Sequence, residues 1–583
     1  MTPNPSPRVS FGVVLVVLAG TLSVPGPAQE KTPAMADERV IELPPFLVED
    51  SAAPLRWRYA AVDGMELLSL CDDSASVNFA QRAHRLKELL HVLVPERYCF
   101  RSDVPEINLL VNDDVNRLHS HEIIDELVRK EGATIGSDGV VRLWQAPVPD
   151  LSLPQYIPRN RVSFLPSLHL WDADQSANLI MFHSQSAQRF TLLPDRVVYE
   201  LERRVPALPE WFKIGTSELF RRASIEDDCI AIDPAVWRSE AESIALARDP
   251  LRPRGLLPMW QLFAPQRPKD EANVRRFDSV WRAQCALFVR WALLDHEGAY
   301  RPALWRLVDR LEHESFNAEL FQQVFGFGLS DAYDRLNDYL PSAVKQRVVV
   351  AGPESAPLPR IEFRDAGPGE VARIRGDWER LEIAYVREQL PSLVPTYVTQ
   401  ARRTLHRAFD RGVRDPGLLA VLGLTECDAG NAPDAEPFLE QAVREHVIRP
   451  RAYVELARLR YKAAFGAAAK DLKVPAEQIR DIIMPVLQSR HAAPPLVETY
   501  GLLAEAWSHA ATSPPPDQLA ILNAGAHLFP QLEPYVARVI EFDVAAGNVR
   551  DAVEIADAGL RATHDPVIHD RLDRIRAELG KKE

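Results

Sequence analysis

Cysteine and glycine are scarce in this chain, and over its centre histidine is absent. Five cysteines in 583 residues cannot supply the disulfide framework of a small secreted scaffold. No Cys-x-x-Cys pair occurs to suggest a zinc ribbon or a thiol–disulfide enzyme. Cys71 and Cys99, each placed at the end of an expected strand, could pair, or both could be free thiols. Glycine numbers 26 against 47 prolines, which predicts short helices joined by stiff connections. Positive charge is also in deficit: 68 Lys and Arg face 82 Asp and Glu, a formal net charge of −14. That balance argues against non-specific binding to nucleic acid or to anionic membrane, both of which need a basic surface. No Gly-x-Ser-x-Gly elbow, Gly-x-Gly-x-x-Gly turn or phosphate-binding P-loop is present, and no histidine lies between His183 and His296.

One long apolar run exists, Phe11 to Val24, preceded by Arg8 and followed by Pro-Gly-Pro-Ala and Gln29. Its fourteen residues are short for about 30 Å of hydrocarbon. A basic start, an apolar middle and small residues at Gly26 and Ala28 predict a signal peptide over 1–28. No cysteine follows to carry a lipid, so the expectation is a protein exported to the periplasm or beyond, with no integral membrane segment after cleavage. An apolar fraction of 46% and a charged fraction of 26% fit ordinary globular protein. The length suggests about three or four domains.

Residues 29–55 read as a polar leader. Trp57 to Asp72 alternates like a strand, Ser74 to Val94 carries an amphipathic helical stripe, and Ile107–Val111 reads as a buried strand. His121 to Asp125 (HEIID) places two ligand-type residues one helical turn apart, and we read it as a polar helix. Arg161–His169 and Asn178–His183 predict a hairpin joined by the acidic turn WDADQSA. Asp172 and Asp174 in that turn could hold a cation, but the calcium-loop spacing and its glycine are missing, so a solvated turn is expected.

From Arg196 to Arg204 apolar residues at Val197, Val198 and Leu201 fit a helix face, which Pro206 and Pro209 end. A second helix then carries Trp211, Phe212, Leu219 and Phe220. Together with the preceding strand–helix–strand, this layout resembles the gluzincin (peptidase MA-like) zinc peptidases over about Trp57 to Val348. Aligning Trp211 and Gly215 with the family's W-x-x-E-G segment puts its third zinc ligand on Ile214, and the HExxH helix on Tyr199–Arg203. Only Glu200 survives, at the general-base place. A catalytic zinc needs three protein ligands of His, Asp, Glu or Cys type; arginine cannot lose its proton to become one. The resemblance therefore implies a silent fold, with no catalytic, metal-binding or cofactor-binding residues, though Glu200 and Glu218 stand where the family's site would be. The long helical stretch Phe277 to Leu340, ending at Pro341, matches that family's helical lobe, and its aromatic stripes read as core.

Val348 to Asp365 is proline-rich with strand-like ends, and a linker is placed over 349–375. Beyond it the sequence AGNxxDA occurs at Ala429 and again at Ala546. Leu419, Leu422, Gly423, Ala435, Leu439 and Ala442 surround the first copy, and the step from Pro416 to Pro450 is 34 residues. That spacing resembles the tetratricopeptide repeat (TPR). The expected fold is an α+β gluzincin-like domain over 56–348, a small mixed sheet plus a helical lobe. An all-α, TPR-like solenoid follows over 376–583, folding as a unit of its own. The expected function is non-catalytic binding of protein or peptide partners through the repeats. An active hydrolase with a non-standard site and a structural envelope component are the alternatives.

Overall fold

Asp63 and Gly64 sit at φ of 49° and 75°, the backbone of a two-residue hairpin turn that Asp-Gly favours. They divide the stretch read as one strand into β1 (Arg58–Val62) and β2 (Met65–Ser69), paired antiparallel. Helix α1 (Asp73–Leu93) crosses over, and β3 (Glu106–Asn112) returns parallel to β2. The computed structural model describes residues 55–112, 133–135, 141–143, 167–182, 199–201, 203–220, 222–226, 229–237, 255–268, 270–352, 358–466, 473–563 and 566–580. The signal peptide, almost all of the polar leader and the HEIID segment lie outside them.

A separate pair, β4 (Ala133–Ile135) and β5 (Val141–Leu143), precedes the expected hairpin, which is formed by β6 (Ser167–Trp171) and β7 (Ser176–Phe182). Strand β7 lies parallel to β3. Next come α2 (Glu210–Phe220), β8 (Ala223–Glu226), β9 (Cys229–Ile232), α3 (Met259–Phe263), α4 (Glu271–Leu294), α5 (Arg301–Leu311), α6 (Ala318–Phe325) and α7 (Leu329–Ala343). Trp211, Phe212, Trp281, Phe288, Trp291 and Phe321 fill one core among these helices. Helix α7 does not stop at Pro341. In the last turn a proline removes a single backbone bond, a loss the helix end absorbs. Gly215 lets α2 lie against α4, because a Cβ there would come within 2.6 Å of the Cys285 carbonyl oxygen.

The proline-rich segment is built into both sheets. Strand β10 (Val348–Ala351) pairs with β9, and β11 (Arg364–Asp365) pairs with β1. The larger sheet is mixed and six-stranded, in the order β11-β1-β2-β3-β7-β6. One face takes Phe79 and Ala80 of α1 against Leu67, Leu110 and Ile180. The other is covered by α8 (Pro368–Gln389) and α9 (Val394–Asp410): Trp378, Leu381 and Ile383 share a core with Ile107, Leu109 and Leu179. The helix opening the second half of the chain is thus a layer of the first half's sheet, and residues Leu55–Glu583 form one compact unit.

The rest is helical: α10 (Pro416–Asp428), α11 (Ala432–Arg444), α12 (Pro450–Phe465), α13 (Ala476–Ser489), α14 (Val497–Ser508), α15 (Pro516–Leu528), α16 (Glu533–Ala546), α17 (Val549–Ala562) and α18 (Pro566–Leu579). They pack in pairs, and the first helix of each pair also touches the first helix of the next: α8 on α10, α10 on α12, α12 on α14, α14 on α16 and α16 on α18. The recurring AGNxxDA turns adopt one geometry. Gly430 and Gly547 both take a φ of 83°, where a side chain would be strained. The amides of Asn431 and Asn548 each donate 2.8 Å bonds to the carbonyls of Glu426 and Asp543. Ala435 is fully buried, at a crossing where a Cβ on Gly423 would meet Leu439 at 2.6 Å. Ala435→Leu is expected to overpack this crossing and lower stability by about 1–3 kcal/mol, readable as a shifted urea midpoint with an unchanged slope. Among the described residues no helix is long and apolar enough to cross a membrane.

Candidate functional site

The turn between β6 and β7 is not solvated. Asp174 and Gln175 are buried, and Asp172 is nearly so. The turn closes on itself through the Asp172 Oδ1, which accepts the backbone N–H groups of Asp174 at 3.0 Å and Gln175 at 2.8 Å. From the segment that follows the hairpin, Arg203 donates to the carbonyl oxygens of Asp172 at 2.5 Å and Ala173 at 2.6 Å. The turn's tip then enters the helical region, where three guanidinium groups from two segments receive it.

Arg380, on α8, donates to Asp172 at 2.5 Å, to Asp377 at 2.9 Å and to Asp428 at 3.2 Å. Arg451, in the first turn of α12, donates to Asp172 and to Asp428, each at 2.7 Å. Both arginines thus tie the hairpin to the end of α10. Arg449 bonds Gln175 and lies 3.0 Å from Asp377 and 3.2 Å from Asp174. The backbone N–H of Arg451 caps the other Asp174 oxygen at 2.7 Å. A planar guanidinium suits such bridging because its five donors point in fixed directions.

The two aspartates titrate apart. Burial alone would raise the Asp172 carboxyl, but Arg380, Arg449 and Arg451 hold it well below the usual carboxylate range. Asp174 is pushed up to about 6, by burial first, with the neighbouring Asp172 charge outweighing part of what Arg449 restores. Arg380 is held above its ordinary value by Asp172, Asp377 and Asp428 despite its burial.

Beside this network opens a pocket of about 330 Å³. The hairpin contributes Trp171, Asp172 and Ala173, while α8, α10, α12 and the start of α14 contribute the rest, among them Leu381, Arg387, Val454, Arg458 and Glu498. Trp171 is 51% exposed. Its ring is held by His169 at 4.9 Å and Tyr199 at 5.5 Å between centroids, and Arg203 stacks over Tyr199. His169 in turn bonds Ser176 at 2.8 Å.

The positions carried by the peptidase resemblance are spent on structure. Tyr199 and Arg203 support the hairpin tip. Ile214 packs on the aromatic core, Glu218 accepts from Arg282 at 2.9 Å and Glu210 faces Arg267 at 3.7 Å. Glu200 is half-buried near Cys99, whose thiol is pushed up to about 12 chiefly by burial and then by Glu200. Cys71 and Cys99 form no disulfide with each other, and Cys99 follows a helical turn rather than a strand. No group of three His, Cys, Asp or Glu side chains among the described residues could hold a metal ion.

The junction itself escaped the sequence reading. A signal for it exists: Arg449-Pro-Arg451 at the start of one helix, and Asp377 with Arg380 amid the apolar residues of another, are charges at core positions. Such charges need partners of opposite sign, and for the three arginines Asp172 and Asp174 are among those partners. Compared with known proteins, the chain matches no family model, no curated protein and no solved structure.

Proposed function

We propose that this chain is an exported, non-catalytic binding protein, whose helices from Pro368 onward stack as a TPR-like array and whose recognition site is the pocket beside Trp171. The observation carrying this reading is that helices α8, α10, α12 and α14 converge with the hairpin tip on one pocket lined by both charged and apolar side chains. Contacts running from each first helix to the next support the array. The inner helices would ordinarily be free to hold an extended partner. Here the chain's own hairpin occupies part of that face, so recognition falls to the space left beside it.

A binding role suits the site's chemistry better than catalysis. Its deepest charges already satisfy one another, its arginines cannot give up protons, and Asp172 is held ionised by three of them. The repeats taken alone would point to a protein or peptide, but with the hairpin on their inner face the class of ligand is set by the pocket itself. Screening the purified chain against displayed peptides and an immobilised glycan panel tests the reading. The expected result is a ligand lost on Arg458→Glu and kept on Val567→Ser, a change at an exposed site in α18. If no ligand responds to the pocket change, the proposal fails.

A further inference from the structure

Building on the pocket as the recognition site, we infer that its ligand is the ring of a neutral saccharide, stacked on Trp171, with its hydroxyls accepting hydrogen bonds from Arg387 and Arg458 and donating to Glu498. Size speaks first. About 330 Å³ stands at the small end of ligand sites; it accommodates a compact ring rather than an extended segment of chain. Charge speaks second. Four arginines and four carboxylates line the pocket, so it offers no net field to select an anion or a cation.

Hydrogen-bonding capacity is the third point. The inner charges are consumed by one another, as Arg380 and Arg451 are on Asp172 and Asp428. The outer ones are not. Arg387 donates to the Asp428 carbonyl at 2.9 Å and Arg458 to Glu455 at 2.7 Å, which leaves donors on both guanidinium groups. Glu498 lines the same pocket as an acceptor, half-buried and paired with no described residue. A ring hydroxyl both donates and accepts, so a polyol can satisfy guanidinium and carboxylate groups together, whereas a carboxylate or ammonium ligand would meet one of them as a like charge.

The aromatic face completes the match. Trp171 is half exposed, yet its orientation is set by His169 and Tyr199. A rigid ring loses little freedom on binding, and the C–H face of a sugar ring lies flat on such a surface. Leu381, Val454 and Leu496 give a small apolar patch for the carbons that carry no hydroxyl.

The test is an immobilised panel of neutral glycans, acidic glycans and short peptides, followed by titration calorimetry of any hit with the full chain. Neutral glycans are expected to bind. Trp171→Ala should weaken them about tenfold, and Arg387→Gln and Glu498→Gln should each weaken them severalfold without changing the melting temperature. Trp260→Ala, an exposed tryptophan outside the pocket, should leave binding unchanged. Competition by a free disaccharide would mark a soluble sugar, and competition only by longer chains a polymer; either supports the inference. Preference for acidic glycans, or neutral binding indifferent to the three pocket changes, overturns it. Binding of peptides alone overturns the saccharide while leaving the recognition pocket in place, and no pocket-dependent ligand of any class ends both.

Discussion

Replacing Arg380 with alanine is expected to lower stability by about 3–5 kcal/mol, the cost of stripping one partner from a buried charge cluster. Its side chain is 1% exposed and holds Asp172, Asp377 and Asp428 at once. After truncation Asp377 would keep Arg449, and Asp172 would keep Arg451 and Arg449. Four carboxylates would then face two guanidinium groups in place of three, in a space water scarcely reaches. The helix also loses its direct bond to Asp172 at the hairpin tip.

Size alone does not account for this cost, and a second substitution separates the effects. Arg458 is partly exposed and among the described residues bonds only Glu455, so Arg458→Ala should cost no more than about 1 kcal/mol. Combining Arg380→Met with Asp172→Asn and Asp377→Asn leaves Asp174 and Asp428 facing Arg449 and Arg451 with similar volumes, and should recover most of the lost stability. Urea denaturation of the four proteins, followed by far-UV circular dichroism, reads all of this. Equal midpoints for the wild type and Arg380→Ala would show that the cluster contributes nothing to holding the two halves together.

Local features of the fold were legible in the sequence, and long-range ones were not. The AGNxxDA turns could be read because their cause is local: a left-handed residue between two helices calls for glycine at Gly430 and Gly547. The β6–β7 hairpin and α1 were legible because period two and period 3.6 survive in a single segment. Asp63-Gly64 was passed over because the apolar residues on either side of it keep an alternating look, although Asp-Gly is itself a hairpin signal. Asp172 and Asp174 looked solvated because their partners lie more than 200 residues away, at Arg380, Arg449 and Arg451. Helix α8 hid for a related reason. Gly376 through Ile383 are buried without a break, charged residues included, so no apolar stripe marks the helix as core. A helix that touches a sheet on one side and helices on the other has no polar face to show. The peptidase resemblance read Tyr199, Arg203 and Gly215 for a lost chemistry, while their contacts give them present work in supporting a turn and a helix crossing.

Cutting the chain at residue 376 is expected to abolish cooperative folding of the helical fragment 376–583. The cut falls inside α8, removing Ile374 and the Arg373 ion pair with Glu66. It also leaves Trp378, Leu381, Ile383 and Val386 without the strands that cover them. Each such side chain is worth about 1.5–3 kcal/mol when buried, and the total rivals the 5–15 kcal/mol that typically holds a domain together. The same cut takes Asp172 and Asp174 from Arg449 and Arg451, whose remaining described carboxylate partners are Asp377, Asp428 and Glu455. Helices further along keep their own cores, around Leu439 and Tyr453 and around Trp507 and Val536, so helical signal should persist. What should vanish is the sharp transition. The fragment is expected to melt over a broad range and to bind a hydrophobic dye, while the chain from 55 to 583 melts in one step. Heating both under circular dichroism, with dye fluorescence in parallel, decides the matter. A fragment that unfolds as sharply as the longer chain, with no dye signal, would mean that the array stands alone and that the sheet and hairpin are passengers on it.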